Sequence, residues 1–380
     1  MLGPGGEAAQ KRVPATTSVV VKLNQLSRRA TTLFAFFEAM PRVGLFSLVL
    51  TCIFAIGVVD SLTGPLVSFA IFYLVPVVLG TWLLGRNAGI WLAVAAGLVW
   101  GLADQLGPFA APRAPLSYWN DAALLAVFLL VLFLVNSLKT TWDYENELLA
   151  DVQARLLPGT MPQDERYEIA GRWRPAGVVG GDYYDALPLD RGRVALCIAD
   201  VSGKGMLAAL VMSNVQAAVR VLAHDSHSPR ELLAHINHLA FTNTRLGTFV
   251  TMFYCVLDPG AGTLVFSNAG HNPPILARRD GSLARLSNGG PVLGVFADAA
   301  YAEGELSIAG GDRLVLFTDG LSEHATASGE EFGESRLVET VLAHRENPAS
   351  ELCDAIVAAA VAHSGSRFED DLTLLIAAIG

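Results

Sequence analysis

Four apolar runs fill the first third of the chain, at residues 43–59, 65–84, 88–103 and 122–138. Each is close to the ~17–25 residues that an α-helix needs to cross a bilayer. Charged residues are almost absent within the runs and gather between them. A soluble bundle would need a polar face on each helix, so that alternative fits poorly. In hydrocarbon every backbone N–H and C=O must be satisfied within its own segment, which leaves helices for this part. Of the 380 residues, 52% are hydrophobic and 16% charged, with mean hydropathy +0.43. That is too apolar for an ordinary soluble protein.

Basic residues orient the runs. Lys11, Arg12, Lys22, Arg28, Arg29 and Arg42 precede the first, Arg86 follows the second and Lys139 the fourth, whereas the outer loops carry only Arg113. Both termini and everything beyond Lys139 are therefore expected in the cytoplasm. Trp82, Trp91, Trp119 and Trp142 fall at the run ends, as an aromatic belt would. Pro76 is expected to kink the second run. Asp60, Asp104 and Asp121 read as span-end residues meeting water, with an external ligand site as the alternative. Residues 1–42 hold Gly and Pro at their start and read as a disordered basic tail without a signal-peptide pattern.

A helix is expected to continue past the fourth run. Leu138, Trp142, Glu145, Leu149, Val152 and Leu156 follow alternating four- and three-residue steps, a heptad seam with one polar intruder. That seam predicts either a homodimer through residues 138–156 or an amphipathic helix packed on the next domain. Pro158-Gly159 ends it. The expected organisation is a tail at 1–42, a four-helix membrane module at 43–138, a linker helix at 139–160 and a catalytic domain at 161–380.

The last part reads as mixed α and β. Strands are expected at 167–173, 193–198, 248–258, 262–268, 274–286, 313–318 and 372–379, and helices at 205–223, 335–344 and 348–363. Ser228 is a candidate N-cap, with Glu231 three residues on. Such a mixture predicts two stacked antiparallel sheets with helices outside. Cys52, Cys197, Cys255 and Cys353 sit in apolar runs without a Cys-x-x-Cys pair, so they read as reduced thiols. A formal net charge of −10 argues against nucleic acid as a partner.

Acids punctuate this part where apolar runs begin or end: Asp182 in Gly180-Gly181-Asp182-Tyr183-Tyr184-Asp185, Asp200 in Asp200-Val201-Ser202-Gly203-Lys204-Gly205, Asp319 in Thr318-Asp319-Gly320, and Asp370 in Asp370-Asp371-Leu372-Thr373. Carboxylates at the ends of buried strands are costly unless their charge is compensated. Converging carboxylates point to hard divalent cations held through oxygen. The Gly-Lys turn is no Walker A loop, and Asp185 and Lys204 read as surface or supporting residues. His235 and His238, three apart on a helix, read as a solvated face.

These pieces, with Arg174-Pro175-Ala176 and Asn268-Ala269-Gly270-His271-Asn272-Pro273-Pro274 between them, resemble in order the sporulation-phosphatase (SpoIIE-like) branch of the PPM, or 2C-type, metal-dependent Ser/Thr protein phosphatases. The resemblance covers about residues 156–380. It implies a layered β-sandwich of two antiparallel sheets flanked by helices, and two Mn²⁺ or Mg²⁺ ions. Asp200 would bridge the ions, the Val201 carbonyl would complete one shell, and Asp182, Asp319 and Asp370 would supply the other carboxylates. Asp371 would support Asp370 or replace it. Gly203 would permit the turn into the helix, and His271 would be a proton donor or a structural turn residue. The implied substrate is a small phosphorylated regulator of the anti-sigma-factor-antagonist type, and the implied location a bacterial-type inner membrane whose lipid the four runs contact. The stretch from Ser68-Phe69-Ala70-Ile71-Phe72-Tyr73-Leu74-Val75-Pro76 through Tyr118-Trp119-Asn120 resembles four-helix membrane modules that precede bacterial output domains, which implies sensing, and the phosphatase resemblance implies a switching role for Ala154-Arg155-Leu156-Leu157-Pro158. No Arg stands shortly before Asp182 where the larger members of the superfamily hold substrate phosphate; Arg172 and Arg174 are the candidates to replace it. Two other readings compete. One is a receptor with a non-catalytic output domain. The other is a cyclic-dinucleotide synthase, from Gly180-Gly181-Asp182, which leaves Thr-Asp-Gly and Asp-Asp-x-Thr unexplained.

Overall fold

The computed structural model describes residues 37, 40–63, 69–106, 115–225, 228–243, 247–366 and 368–380. The predicted disordered tail lies almost wholly outside them. The chain divides between Tyr144 and Glu145 into two units.

The first unit is helical. It contains α1 (Arg42–Thr63), a 3₁₀ turn (Ala70–Tyr73) leading into α2 (Leu74–Leu84), then α3 (Arg86–Leu106) and most of α4 (Pro115–Leu156). Leu45, Val49, Ile53, Tyr73, Val77, Leu92, Ala96, Phe128 and Leu132 form its core. Small residues let the helices approach closely: a Cβ on Gly80 would sit 2.2 Å from Leu92 Cδ1. The Lys139 ammonium donates to the Trp82 carbonyl, which brings two predicted interface residues to one level.

Among the described residues four helices are long and apolar enough to cross a membrane, and three of them fall on the predicted runs: Arg42–Thr63, Arg86–Ala103 and Trp119–Leu156. The second run differs. Its helical part is the shorter Ala70–Leu84, and 65–68 lie outside the described residues. The helix type changes at Leu74, and Pro76 sits in the first turn of α2, where a missing N–H leaves no bond unmade. The fourth apolar helix belongs to the second unit: α5 (Met206–Asp225) turns Ala208, Met212, Val215, Val219 and Ala223 into that unit's core.

The second unit stacks two sheets between helices. One sheet has the order β1 (Tyr167–Arg174), β11 (Leu372–Ile379), β10 (Arg313–Phe317), β6 (Ile275–Ala277), β7 (Leu283–Arg285). The other runs β2 (Tyr183–Pro188), β3 (Val194–Val201), β4 (Val250–Asp258), β5 (Thr263–Ala269), β8 (Gly289–Gly290), with β9 (Gly304–Ser307) also on β5. Pairing is antiparallel except between β5 and β8.

Every residue of β11 is buried, because both faces are covered. Leu375, Ala377 and Ile379 join the core shared with the second sheet, α5 and α6 (Pro229–Asn243), while Leu374, Ile376 and Ala378 face the core under α8 (Gly333–Ala343) and α9 (Ala349–Ser364). Ser228 caps α6 as expected, accepting from the Glu231 N–H at 3.4 Å. The strand expected over 274–286 is a hairpin: Arg278 N–H bonds the Ser282 carbonyl, and Gly281, at φ 87°, turns the chain. β2, β8 and β9 were not foreseen.

Candidate active site

Register places the acids. β2 pairs with β3 so that Tyr183 faces Ala199, and one step further Asp182 comes opposite Asp200. In the other sheet Phe317 pairs with Leu374, which brings Thr318 and Thr373 together at the same strand ends. The Thr318 N–H donates to the Thr373 carbonyl, and the Thr373 N–H to Thr318 Oγ1 at 3.0 Å. Both hydroxyls then cross between the sheets. Thr318 Oγ1 donates to Asp182 Oδ2 at 2.9 Å and Thr373 Oγ1 to the same oxygen at 2.5 Å.

Asp319 follows on α7 (Asp319–Ser322), and Asp370 and Asp371 lead into β11. Asp371 clamps the loop that carries Asp182. Its Oδ1 accepts the Ala176 N–H at 2.8 Å and its Oδ2 the Gly181 N–H at 2.6 Å. The clamp requires glycine at 180, where a Cβ would fall 2.3 Å from Asp371 Oδ2. At Gly181 a Cβ would lie 2.9 Å from the Val201 carbonyl oxygen. Close packing thus accounts for Gly180-Gly181, the pair that suggested a nucleotide cyclase.

The cluster is electrostatically crowded. Burial, and next the Asp200 charge, push the Asp182 carboxyl well above the usual range. Asp200 is pushed up to about 7, by burial and then by Asp319 and Asp370, against a hydrogen bond with Asp182 that lowers it. Asp319 is raised by burial and by Asp370. Asp370 is half-exposed and pairs with the Lys204 ammonium at 2.9 Å. Among the described residues no three acidic, histidine or cysteine side chains already close round a single point as a metal cage. The carboxylates are adjacent, with an all-oxygen donor set and mutual repulsion, and they are held by hydroxyls and one ammonium. A hard divalent cation suits that set.

The remaining predicted positions have structural partners. His271 is buried, its Nδ1 2.9 Å from Thr251 Oγ1 and its Nε2 3.2 Å from the Phe317 carbonyl. The carbonyl can only accept, so Nε2 carries the proton and Nδ1 accepts from the hydroxyl. This ties β4 to β10, and burial pushes the imidazole down to about 4. Asp185 is buried against Arg220, with Nε 2.8 Å from its Oδ2, and accepts from Tyr183 Oη at 3.0 Å, which fastens α5 to β2. Gly203, at φ 102°, makes the turn into α5. His235 and His238 lie on α6.

Three supporting residues escaped sequence reasoning. Thr318 and Thr373 lay within the quoted motifs, where only the acids drew notice. Gln153, near the end of α4, is buried and grips Gly180 on both sides: its Nε2 donates to the Gly180 carbonyl at 2.6 Å and its Oε1 accepts the Gly180 N–H at 2.9 Å. Its partners are backbone atoms far along the chain, which no spacing reveals.

The sequence model of the stage II sporulation protein E (SpoIIE) family matches residues 190–380. Phosphoserine phosphatase RsbU of Bacillus subtilis is 32% identical over 235 residues, 61% of this chain and 69% of that protein. Protein IcfG of Synechocystis sp. is 29% identical over 252 residues, 59% of this chain and 40% of IcfG, so the chain spans less than half of that relative. The SiaA-PP2C domain of Pseudomonas aeruginosa has the same fold, with TM-score 0.56 at 23% identity, over 64% of this chain and 98% of that domain.

Proposed function

The chain belongs to the SpoIIE family of PP2C-type serine/threonine phosphatases, and from that premise we infer that it is a membrane-anchored, metal-dependent phosphoserine/phosphothreonine protein phosphatase. The observation that carries the reading is the meeting of Asp182, Asp200, Asp319 and Asp370 at neighbouring strand ends, with the carboxyls of Asp182, Asp200 and Asp319 pushed up by burial and by another's charge. Asp200 would bridge two Mn²⁺ or Mg²⁺ ions, with Asp182, Asp319, Asp370 and the Val201 carbonyl as further donors. Bound ions would supply a hydroxide-like water at neutral pH and neutralise the phosphoryl oxygens. The chain's own part is orientation. Thr318 and Thr373 fix one oxygen of Asp182 and leave the other free to turn toward Asp200, and Asp371 fixes the loop behind it.

The substrate in this reading is a small phosphorylated regulator, and the name of RsbU, a phosphoserine phosphatase, supports phosphoserine as the group cleaved. The apolar helices of the first unit anchor the chain in a bacterial inner membrane, with the Lys139 side and both termini cytoplasmic. Self-association through residues 138–156 completes it: Leu138, Trp142 and Val152 expose 68%, 59% and 50% of their surface along one seam. The test is phosphate release from a phosphoserine peptide by the detergent-solubilised chain. Release should require Mn²⁺ or Mg²⁺ and should fall by at least roughly a hundredfold in Asp200→Asn. Full activity of that variant would overturn the assignment.

A further inference from the structure

Resting on the phosphatase reading, we propose that Lys204 is the side chain that binds the substrate's phosphate, in place of the arginine this chain lacks. A phosphate monoester carries between one and two negative charges at neutral pH and must approach a cluster of carboxylates. A cation borne by the protein at the mouth of that cluster is the natural anchor, and Lys204 is placed there. Its ammonium lies 2.9 Å from Asp370 Oδ2 and donates to the Glu369 carbonyl at 2.7 Å. Two of its three donors are thereby accounted for, and the third remains for a ligand. Its charge also reaches Asp319. The side chain is 60% exposed, so the head faces solvent from which a phosphoprotein would come.

The backbone supports this placement. Lys204 stands between Gly203 at φ 102° and Gly205 at φ 74°, conformations that glycine adopts without strain. The turn ends at the first residue of α5, where unsatisfied N–H groups add positive potential. The alternative cations are otherwise engaged or unplaced. Arg172 is held by Asp354 at 2.8 Å and by the Ser350 carbonyl, and Arg220 by the buried Asp185. Arg174 ends β1 and is exposed, with no ion pair to the acids among the described contacts. A lysine suits the task as a mobile point charge that can follow the phosphoryl group on its four-carbon stem.

The experiment compares wild type, Lys204→Gln, Lys204→Arg and Arg174→Gln as full chains in detergent, with Mn²⁺ and a phosphoserine peptide. For Lys204→Gln, KM should rise roughly tenfold or more, and inhibition by inorganic phosphate should weaken by a similar factor, as loss of one charge-assisted contact implies. The Mn²⁺ half-saturation should stay within about twofold, Lys204→Arg should recover most of the loss, and Arg174→Gln should behave as wild type. A changed Mn²⁺ half-saturation with KM and phosphate inhibition intact would overturn the proposal, since Lys204 would then only neutralise Asp370. So would a rise in KM confined to Arg174→Gln. A wild-type chain that releases no phosphate would instead sink the phosphatase reading itself.

Discussion

Thr318 and Thr373 hold matched places at the ends of β10 and β11, and both hydroxyls end on one oxygen of Asp182. A hydrogen bond to a charged group contributes ~1.5–3 kcal/mol, and 1.4 kcal/mol is tenfold in an equilibrium. Thr373→Val should therefore raise the Mn²⁺ half-saturation of phosphate release by roughly tenfold or more, with little change in far-UV circular dichroism. His271 makes a different prediction. Its imidazole titrates near 6.5 in the unfolded chain but near 4 when folded. Above pH 6.5 both states are neutral there and the full stability is present. As pH falls, the unfolded chain binds a proton that the folded chain refuses, and up to ~3 kcal/mol is lost by about pH 4. Urea unfolding of His271→Asn at pH 7.5 and 5 should show a shallower loss than wild type.

The helix α4 ends where it can act on the site. Gln153 bonds both the N–H and the C=O of Gly180, two residues before Asp182, and the Leu156 carbonyl accepts from Gln216 of α5 at 3.0 Å. Gln153→Ala would leave two buried backbone groups unpaired, at a cost of ~1–3 kcal/mol each. Its expected signature is faster amide exchange at Gly180 and Gly181 together with weaker Mn²⁺ activation; exchange like that of wild type would detach α4 from the site. Val152 of the same seam is 50% exposed, so Val152→Asp should shift the chain toward monomer in sedimentation. Elements differ in how far their residues announce them. β3, β10 and β11 were legible because long apolar runs stop at acids, and the acids were legible for the same reason. β2 was not, because Asp185 interrupts it and is neutralised by Arg220, thirty-five residues on. The turn within 274–286 was legible but passed over: Asp280-Gly281, a turn-forming pair, stands between Arg279 and Ser282 inside a run read as one strand. Asp182 could be read from its motif, but its two threonine donors come from the other sheet, and only the pairing of β10 with β11 brings them together.

At the scale of the whole molecule, the question is where the catalytic unit begins. Pro158-Gly159 suggests a start at 161, yet the division of the chain groups 145–160 with the sheets. The reason is physical: Leu157 is buried in the larger core, Gln153 satisfies Gly180, and Gln216 of α5 satisfies the Leu156 carbonyl. Removing these residues would expose a leucine site worth ~1.5–3 kcal/mol and unpair the Gly180 groups. For a unit of this size each kcal/mol shifts Tm by ~2–4 °C. A soluble fragment of residues 145–380 should therefore melt roughly 10 °C above one of 161–380, and should keep more Mn²⁺-dependent phosphate release. Equal melting and equal activity would mean that α4 only tethers the unit. A difference would mean that the last turns of α4 are part of the catalytic fold, so that any displacement of those turns is felt at Gly180 and, two residues on, at Asp182.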